Sequence, residues 1–278
     1  MPLVAGIDCG SGFTKAVVLW QEADGVPCVL GRGRARSGVN MEAAATEALT
    51  AAAADAAVLR GDVEYIATTG FGRYSISYRD IQVTEITSGA RGAHQLFPDA
   101  ACVLDIGAQS TRAIALGERG KVKSFKTNDK CAAGSGMFIV RAAKYLAVPL
   151  EQVGGLSLKA EAPQPISSVC AVLAESEIIN HVSAGVSVED ILCGIHDSLA
   201  DRAATLLKRV GLSASGSAAV TLIGGVAYQA GLVRALEKRL GAKVNVPADC
   251  DYVCALGAAL LGLKRLAVKK QEAVSSEL

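Results

Sequence analysis

The chain has 278 residues, enough for one large domain or two small ones. Half of the residues are hydrophobic, only 4% are aromatic and 29 are glycine, which excludes disorder and fits Ala-, Val-, Leu- and Ile-rich helices packed closely on sheets. With 28 basic and 27 acidic residues the net charge is +1, so neither a nucleic-acid surface nor an anionic-membrane surface is expected. In chain order, Val4–Asp8 reads as an apolar strand, Gly10 and Gly12 mark a turn, and Thr14–Trp20 reads as a second strand. A third strand is expected over Cys28–Arg34, and an Ala-rich helix over Met41–Leu59 with Asn40 as N-cap. Val63–Thr69 is a strand ending in a glycine loop at Gly70–Gly72. A short strand over Gln82–Ile86 precedes a helical stretch that ends near Phe97-Pro98.

The pattern then restarts. Ala101–Ile106 is a strand containing Asp105, Gly107–Ser110 is a small polar loop, and Thr111–Leu116 and Lys121–Thr127 are further strands. Val4-Ala-Gly-Ile-Asp8-Cys-Gly-Ser and Val103-Leu-Asp105-Ile-Gly-Ala-Gln-Ser are thus two versions of one device, an internal duplication. The remainder is mainly helical: Gly136–Leu146, Ala171–Ser183, and a long helix from the capping sequence Ser187-Val-Glu-Asp190 to Val210, with Gly211 as its stop. Val220–Ile223 is a strand running into Gly224-Gly225. A helix over Ala230–Leu240, a short strand over Lys243–Val246 and a closing helix over Val253–Ala267 follow, with a polar tail over Lys269–Leu278. Two face-to-face lobes are expected, residues 1–98 plus 250–278 and residues 99–249.

No apolar run is long enough to cross a bilayer, and Ala43–Leu59 is interrupted by Thr46, Glu47 and Asp55. The apolar start Met1–Ile7 is too short for a signal peptide, so a cytoplasmic location is expected. The eight cysteines include no CxxC pair, and disulfides are not expected in that compartment.

A nucleoside triphosphate needs backbone N–H donors, small residues that let the backbone approach, and a cation. Gly10, Ser11, Gly12, Phe13, Thr14 and Lys15 supply these after Asp8, a candidate holder of Mg2+ through water; the GxxxxGK[ST] spacing is absent. Alone, a glycine turn between strands is an ordinary hairpin. The second copy, Asp105 with Gly107 and Gln109, makes two carboxylate turns suited to two sides of one phosphate site. Gly224 and Gly225 follow a strand and would let a nucleoside approach the backbone. Cys131 and Cys170 each precede a helix, where N-terminal partial charge favours a thiolate. On chemistry alone these two cysteines are either metal ligands or buried helix-start residues. A [4Fe–4S] cluster takes four thiolates, which a two-fold dimer would complete. Cys250 and Cys254 are a poorer pair, and His94, His181 and His196 read as structural.

The paired turns and the glycines at 224 and 225 resemble the actin, Hsp70 and sugar-kinase superfamily. That resemblance implies an α/β fold of two ribonuclease-H-like lobes with ATP in the interlobe cleft. It places Asp8 and Asp105 near Mg2+ and water, Ser11, Gly12, Lys15 and Gln109 near the phosphates, and Gly224 and Gly225 beside the nucleoside. NDKCAAGSG (128–136) and SSVCAVLAESEIIN (167–180), with ATTGFGR (67–73), VLDIGAQ (103–109), IGGVA (223–227) and ALGAAL (255–260), are similar to the BadF/BadG/BcrA/BcrD ATPase family. The family resemblance implies an ATPase whose hydrolysis drives a low-potential electron from one [4Fe–4S] cluster, shared by two subunits through Cys131 and Cys170, to an acyl-CoA-reducing partner. That partner would be a 2-hydroxyacyl-CoA dehydratase or the catalytic subunits of a benzoyl-CoA reductase, and the donor ferredoxin- or flavodoxin-like. Gln109 would orient the attacking water, with Glu85 a weaker candidate. Many activators carry a Cys-His pair where this chain has Ser88-Gly-Ala-Arg91, and DIGGQD where it has Asp105-Ile-Gly-Ala-Gln-Ser110; homodimer and heterodimer with a paralogous ATPase subunit both stay open. A sugar-type kinase of the same fold without iron is the alternative, and a non-redox ATP-dependent scaffold a third.

Overall fold

The computed structural model describes residues 2–22, 25–128, 134–167, 171–212 and 219–276. The chain forms two compact units, Met1–Pro98 with Arg119–Lys121 and Asp251–Leu278, and Asp99–Glu118 with Val122–Cys250. The first holds strands β1 (Leu3–Cys9), β2 (Phe13–Trp20), β3 (Cys28–Arg36), β4 (Val63–Thr69) and β5 (Ile81–Gln82) in the order β3-β2-β1-β4-β5. Helix α1 (Met41–Asp55) precedes β4, and α2 (Glu85–Leu96) follows β5. The second unit holds β6 (Cys102–Ile106), β7 (Thr111–Leu116) and β8 (Val122–Asn128). Helices α3 (Gly136–Tyr145), α4 (Leu150–Ser157), α5 (Ala171–Ser183) and α6 (Val188–Arg209) follow. After them come β9 (Val220–Ile223), α7 (Ala230–Leu240) and β10 (Val244–Asn245); α8 (Val253–Ser276) belongs to the first unit.

The second sheet runs β10-β9-β6-β7-β8, which is the order of the first read from its other edge. In each, the first strand pairs antiparallel with the next strand and parallel with the strand after the helices: β1 with β2 and β4, β6 with β7 and β9. The duplication seen in the turns therefore extends to the whole five-stranded sheet.

Central strands buried on both faces must be apolar throughout. In β1, every residue from Val4 to Cys9 is buried. α8 crosses β1 so closely that a Cβ on Gly6 would lie 2.0 Å from the carbonyl oxygen of Ala255. This contact explains the low aromatic content: α1 buries Ala44, Ala45, Ala48, Ala52 and Ala53, and small residues let helices settle onto a sheet. In the second unit α6 runs through the core, burying Ile191, Leu192, Ile195, Leu199 and Leu207.

The caps follow the sequence. Asn40 Oδ1 accepts from Ala43 N at 3.0 Å, Ser187 Oγ from Asp190 N at 3.2 Å, and Gly241 closes α7 in the left-handed region. Four elements differ from expectation. Helix α1 ends at Asp55 rather than Leu59, and Ala57 just beyond it has a positive φ of 54°. The strand expected over Gln82–Ile86 is only Ile81–Gln82, because Thr84 caps α2 through its bond from Thr87 N and Glu85 is already helical. Helix α4 has no counterpart among the expected elements; its Gly154-Gly155 pair hides the helical pattern. The polar tail is helix to Ser276, since Ala, Lys, Gln and Glu are good helix formers and Lys270 pairs with Glu64 at 2.7 Å. Among the described residues no helix is long and apolar enough to cross a membrane.

Candidate functional site

In each sheet the next-to-last residue of the first strand is an aspartate, and each aspartate is held in the same way. Asp8 lies directly across the β1–β2 ladder from Lys15, and Asp105 across the β6–β7 ladder from Arg112. Lys15 Nζ is 2.7 Å from Asp8 Oδ2, and Arg112 Nη1 is 2.9 Å from Asp105 Oδ2. Both carboxylates are buried, so these pairs are partly shielded from solvent. Burial penalises the Lys15 ammonium, but Asp8 outweighs that, by its charge and its hydrogen bond, and the Lys15 pKa is raised.

The other oxygen of each carboxylate faces a glycine from the neighbouring parallel strand. A Cβ on Gly70, just past β4, would lie 2.5 Å from Asp8 Oδ1; one on Gly224, just past β9, would lie 2.7 Å from Asp105 Oδ1. Both glycines have nearly the same positive φ, +90° and +89°. Only glycine fits both that backbone and that contact. A cation on one side and a bare backbone on the other fix each carboxylate at the head of its sheet.

The first turn is strapped by Ser37, which follows β3. Its Oγ donates to Gly10 O at 2.6 Å, its N to Gly12 O at 3.2 Å, and its hydroxyl also meets buried Thr14 Oγ1 at 2.9 Å. A Cβ on Gly10 would strike Phe13 O at 2.7 Å, so the turn excludes any side chain there. Phe13 is exposed and carries the Arg34 guanidinium 3.7 Å above its ring. Ser11 and Gly12 are half-exposed. The second turn, 107–110, is closed by Gly107 N donating to Ser110 O at 2.9 Å, and Gln109 is exposed on it. A Cβ on Gly107 would meet only ordinary contacts, and one on Gly225 would meet nothing within 4 Å. The packing of this chain therefore does not require glycine at 225.

The second turn is also tied to α3. Gly136 N donates to Gly107 O at 2.9 Å and Met137 N to Ala108 O at 2.8 Å, so the first turn of the helix caps the carbonyls of the turn. Thr111 Oγ1 donates to Gly134 O just upstream. The segment that carries Cys131 leads into this joint. Cys131 and Cys170 themselves lie outside the described residues.

Within each unit, a fixed carboxylate beside glycine-bared backbone is a donor pattern suited to Mg2+ and phosphate. A model of the BadF/BadG/BcrA/BcrD ATPase family matches residues 5–262. The chain belongs to this family. It is 40% identical over 273 residues to a benzoyl-CoA reductase subunit from Thauera aromatica, covering 95% of this chain and 94% of that one. It superposes with a TM-score of 0.88 on the activator of the 2-hydroxyisocaproyl-CoA dehydratase from Clostridium difficile with bound ADPNP, at 33% identity and with 97% of each chain covered. A ROK family glucokinase from Streptomyces griseus, in complex with glucose and AMPPNP, shares the fold at a TM-score of 0.55 and 16% identity, with 94% of this chain and 99% of that one covered. The fold is thus that of the actin-like ATPases and sugar kinases.

Within that family frame the remaining polar residues sort plainly. Glu85, the weaker candidate for the water, is ion-paired with Arg73 at 3.0 Å, and Arg73 also donates to Gly70 O at 2.9 Å. Arg73 and Glu85 thus brace the turn that backs Asp8. Glu175 pairs with Arg141 at 2.9 Å, and Glu177 accepts from Ser167 N. His196 is fully buried against Ser157 Oγ at 2.9 Å, and burial lowers its pKa to about 4. Burial pushes the Cys9 thiol up to about 12, with Asp8 adding to it, and also raises Cys102 and Cys193. Cys250 and Cys254 are buried, and no group of three or more His, Cys, Asp or Glu fit for a metal occurs among the described residues.

Sequence reading missed Arg112, Gly70 and Ser37. The first two had a signal. Arg112 stands seven residues after Asp105, as Lys15 does after Asp8, and Gly70 follows β4 as Gly224 follows β9. Ser37 had none, because it reaches the turn only through sheet pairing.

Proposed function

We propose that this chain binds and hydrolyses ATP and uses the hydrolysis to send a low-potential electron from a [4Fe–4S] cluster to an acyl-CoA-reducing partner. The observation that carries the reading is the joint between the second carboxylate turn and α3, where Gly136 N and Met137 N hold the carbonyls of Gly107 and Ala108. A turn that senses phosphate and a helix preceded by a cysteine segment are one hydrogen-bonded body, so movement of the first moves the second.

In this proposal Asp8 and Asp105 hold Mg2+ and its waters. Gly10, Ser11, Gly12, Phe13, Thr14, Lys15 and Gly107 form the phosphate turns, and Gln109 orients the attacking water. Gly224 and Gly225 give the nucleoside access to backbone. The two units are the two lobes, and the relative with bound ADPNP supports the nucleotide assignment. Cys131 and Cys170 are the cluster ligands, two from each subunit of a dimer. What supports the choice is that Cys9, Cys102 and Cys193 are poor thiolates in their places, where burial raises each thiol pKa, and that Cys170 is next in sequence to α5 (Ala171–Ser183). When bound, the cluster supplies a one-electron carrier. The relatives that serve a benzoyl-CoA reductase and a 2-hydroxyisocaproyl-CoA dehydratase support an acyl-CoA-reducing partner of either kind, with a ferredoxin- or flavodoxin-like donor.

Anaerobic purification tests this. The expected product is a brown protein with about four irons per dimer and ATPase activity, with the iron lost in Cys131→Ser and Cys170→Ser. A colourless, iron-free protein that phosphorylates a sugar would overturn it.

A further inference from the structure

One basic residue of the second unit has no part in the proposed function so far. Arg112 lies in β7, opposite Asp105, with its guanidinium and that carboxylate mostly buried. The sheet duplication puts it where the first unit has Lys15: same ladder position, same Oδ2 partner, same glycine on the far side of the carboxylate. The two cations differ in what else they can do. Lys15 Nζ also reaches the turn itself, donating to Phe13 O at 3.2 Å, and a flexible ammonium can exchange that contact for a phosphate. A planar guanidinium keeps its geometry once paired, so it is suited to hold a carboxylate still.

We propose that Arg112 is a positioning residue for ATP hydrolysis, fixing Asp105 through their cross-strand ion pair while Gly224 closes the other side. This rests on the ATPase reading. Arg112 touches neither nucleotide nor water in this role; it acts through Asp105.

The test compares wild type, Arg112→Met and Arg112→Lys, each checked by thermal melting. Steady-state kinetics give kcat and KM for ATP, and calorimetry gives the Kd of Mg2+-ADPNP. Arg112→Met is expected to lower kcat by roughly 10- to 100-fold, the range that outer partners of metal-holding groups carry. KM and the calorimetric Kd are expected to change much less than kcat, because the turns that hold the phosphates and the nucleoside are untouched and only the Asp105 contact to Mg2+ and its waters is loosened. Arg112→Lys keeps the charge without the planar grip and is expected to recover part of the loss. Unchanged kcat in Arg112→Met overturns the inference, and so does an equal loss in both variants that follows their loss of melting temperature. If wild type itself neither binds Mg2+-ADPNP nor hydrolyses ATP, the ATPase reading fails and this inference falls with it.

Discussion

Gly224 and Gly225 are adjacent and look interchangeable in sequence, yet the structure assigns them different reasons for lacking a side chain. Gly224→Ala would put a methyl 2.4 Å from Ile106 O and 2.7 Å from Asp105 Oδ1, on a backbone with φ +89°. The left-handed conformation alone costs about 1–2 kcal/mol for a residue with a Cβ. Pushing β6 aside adds about 1–3 kcal/mol of overpacking. A total near 3 kcal/mol, at roughly 2–4 °C per kcal/mol, lowers the melting temperature by about 6–12 °C. Gly225→Ala meets nothing within 4 Å and its φ is not in the left-handed region, so its stability should stay within about 0.5 kcal/mol of wild type. If a nucleoside uses that open space, the same methyl weakens ATP binding about tenfold or more, a loss of ~1.4 kcal/mol. Scanning calorimetry and equilibrium binding of a fluorescent ATP analogue measure the two effects separately. A Gly225→Ala protein with wild-type stability and wild-type affinity would refute the reasoning.

Three further outcomes follow from the described side chains. Burial depresses the His196 pKa to about 4 while the unfolded value is 6.5, so the unfolded chain holds more protons between these values; stability is full above pH 6.5 and falls as the pH drops to about 4. The loss is on the order of 3 kcal/mol, and guanidinium melts of wild type and His196→Gln across that window should diverge by this amount as the variant's pH dependence flattens. Iodoacetamide at pH 8 on the folded protein should modify exposed Cys28 and spare Cys9, Cys102, Cys250 and Cys254, as read by peptide mass mapping. Gln109→Ala should lower kcat by about 100-fold with the melting temperature unchanged, whereas Glu85→Gln, which breaks the Arg73 brace, should lower the melting temperature as well.

Most of the sheet architecture was legible because β1 and β6 share a pattern rare enough to count: an apolar run, Asp, then small polar residues. The parallel partners β4 and β9 matched expectation because short runs rich in Val, Ile and Thr that end at a glycine leave little choice. Arg112 was hidden because a basic residue in a strand usually marks a solvated face; only the register shows it turned onto Asp105. Gly70 reads as an ordinary loop glycine until β4 is placed beside β1, which brings it against Asp8. The helical continuation to Ser276 was obscured because polar helix formers without an apolar stripe resemble a tail. Ser37 belongs to a class that sequence cannot reveal, residues that serve a site through a neighbouring strand 27 positions away.

The coupling of nucleotide to electron is the centre of the proposal, and one redox titration bears on it directly. The anaerobic dimer would be titrated by EPR with and without Mg2+-ATP. A nucleotide-dependent shift of the midpoint potential by at least ~60 mV, a tenfold change in the one-electron equilibrium, is the predicted result. An iron-loaded protein that hydrolyses ATP while its midpoint potential stays the same would contradict the account.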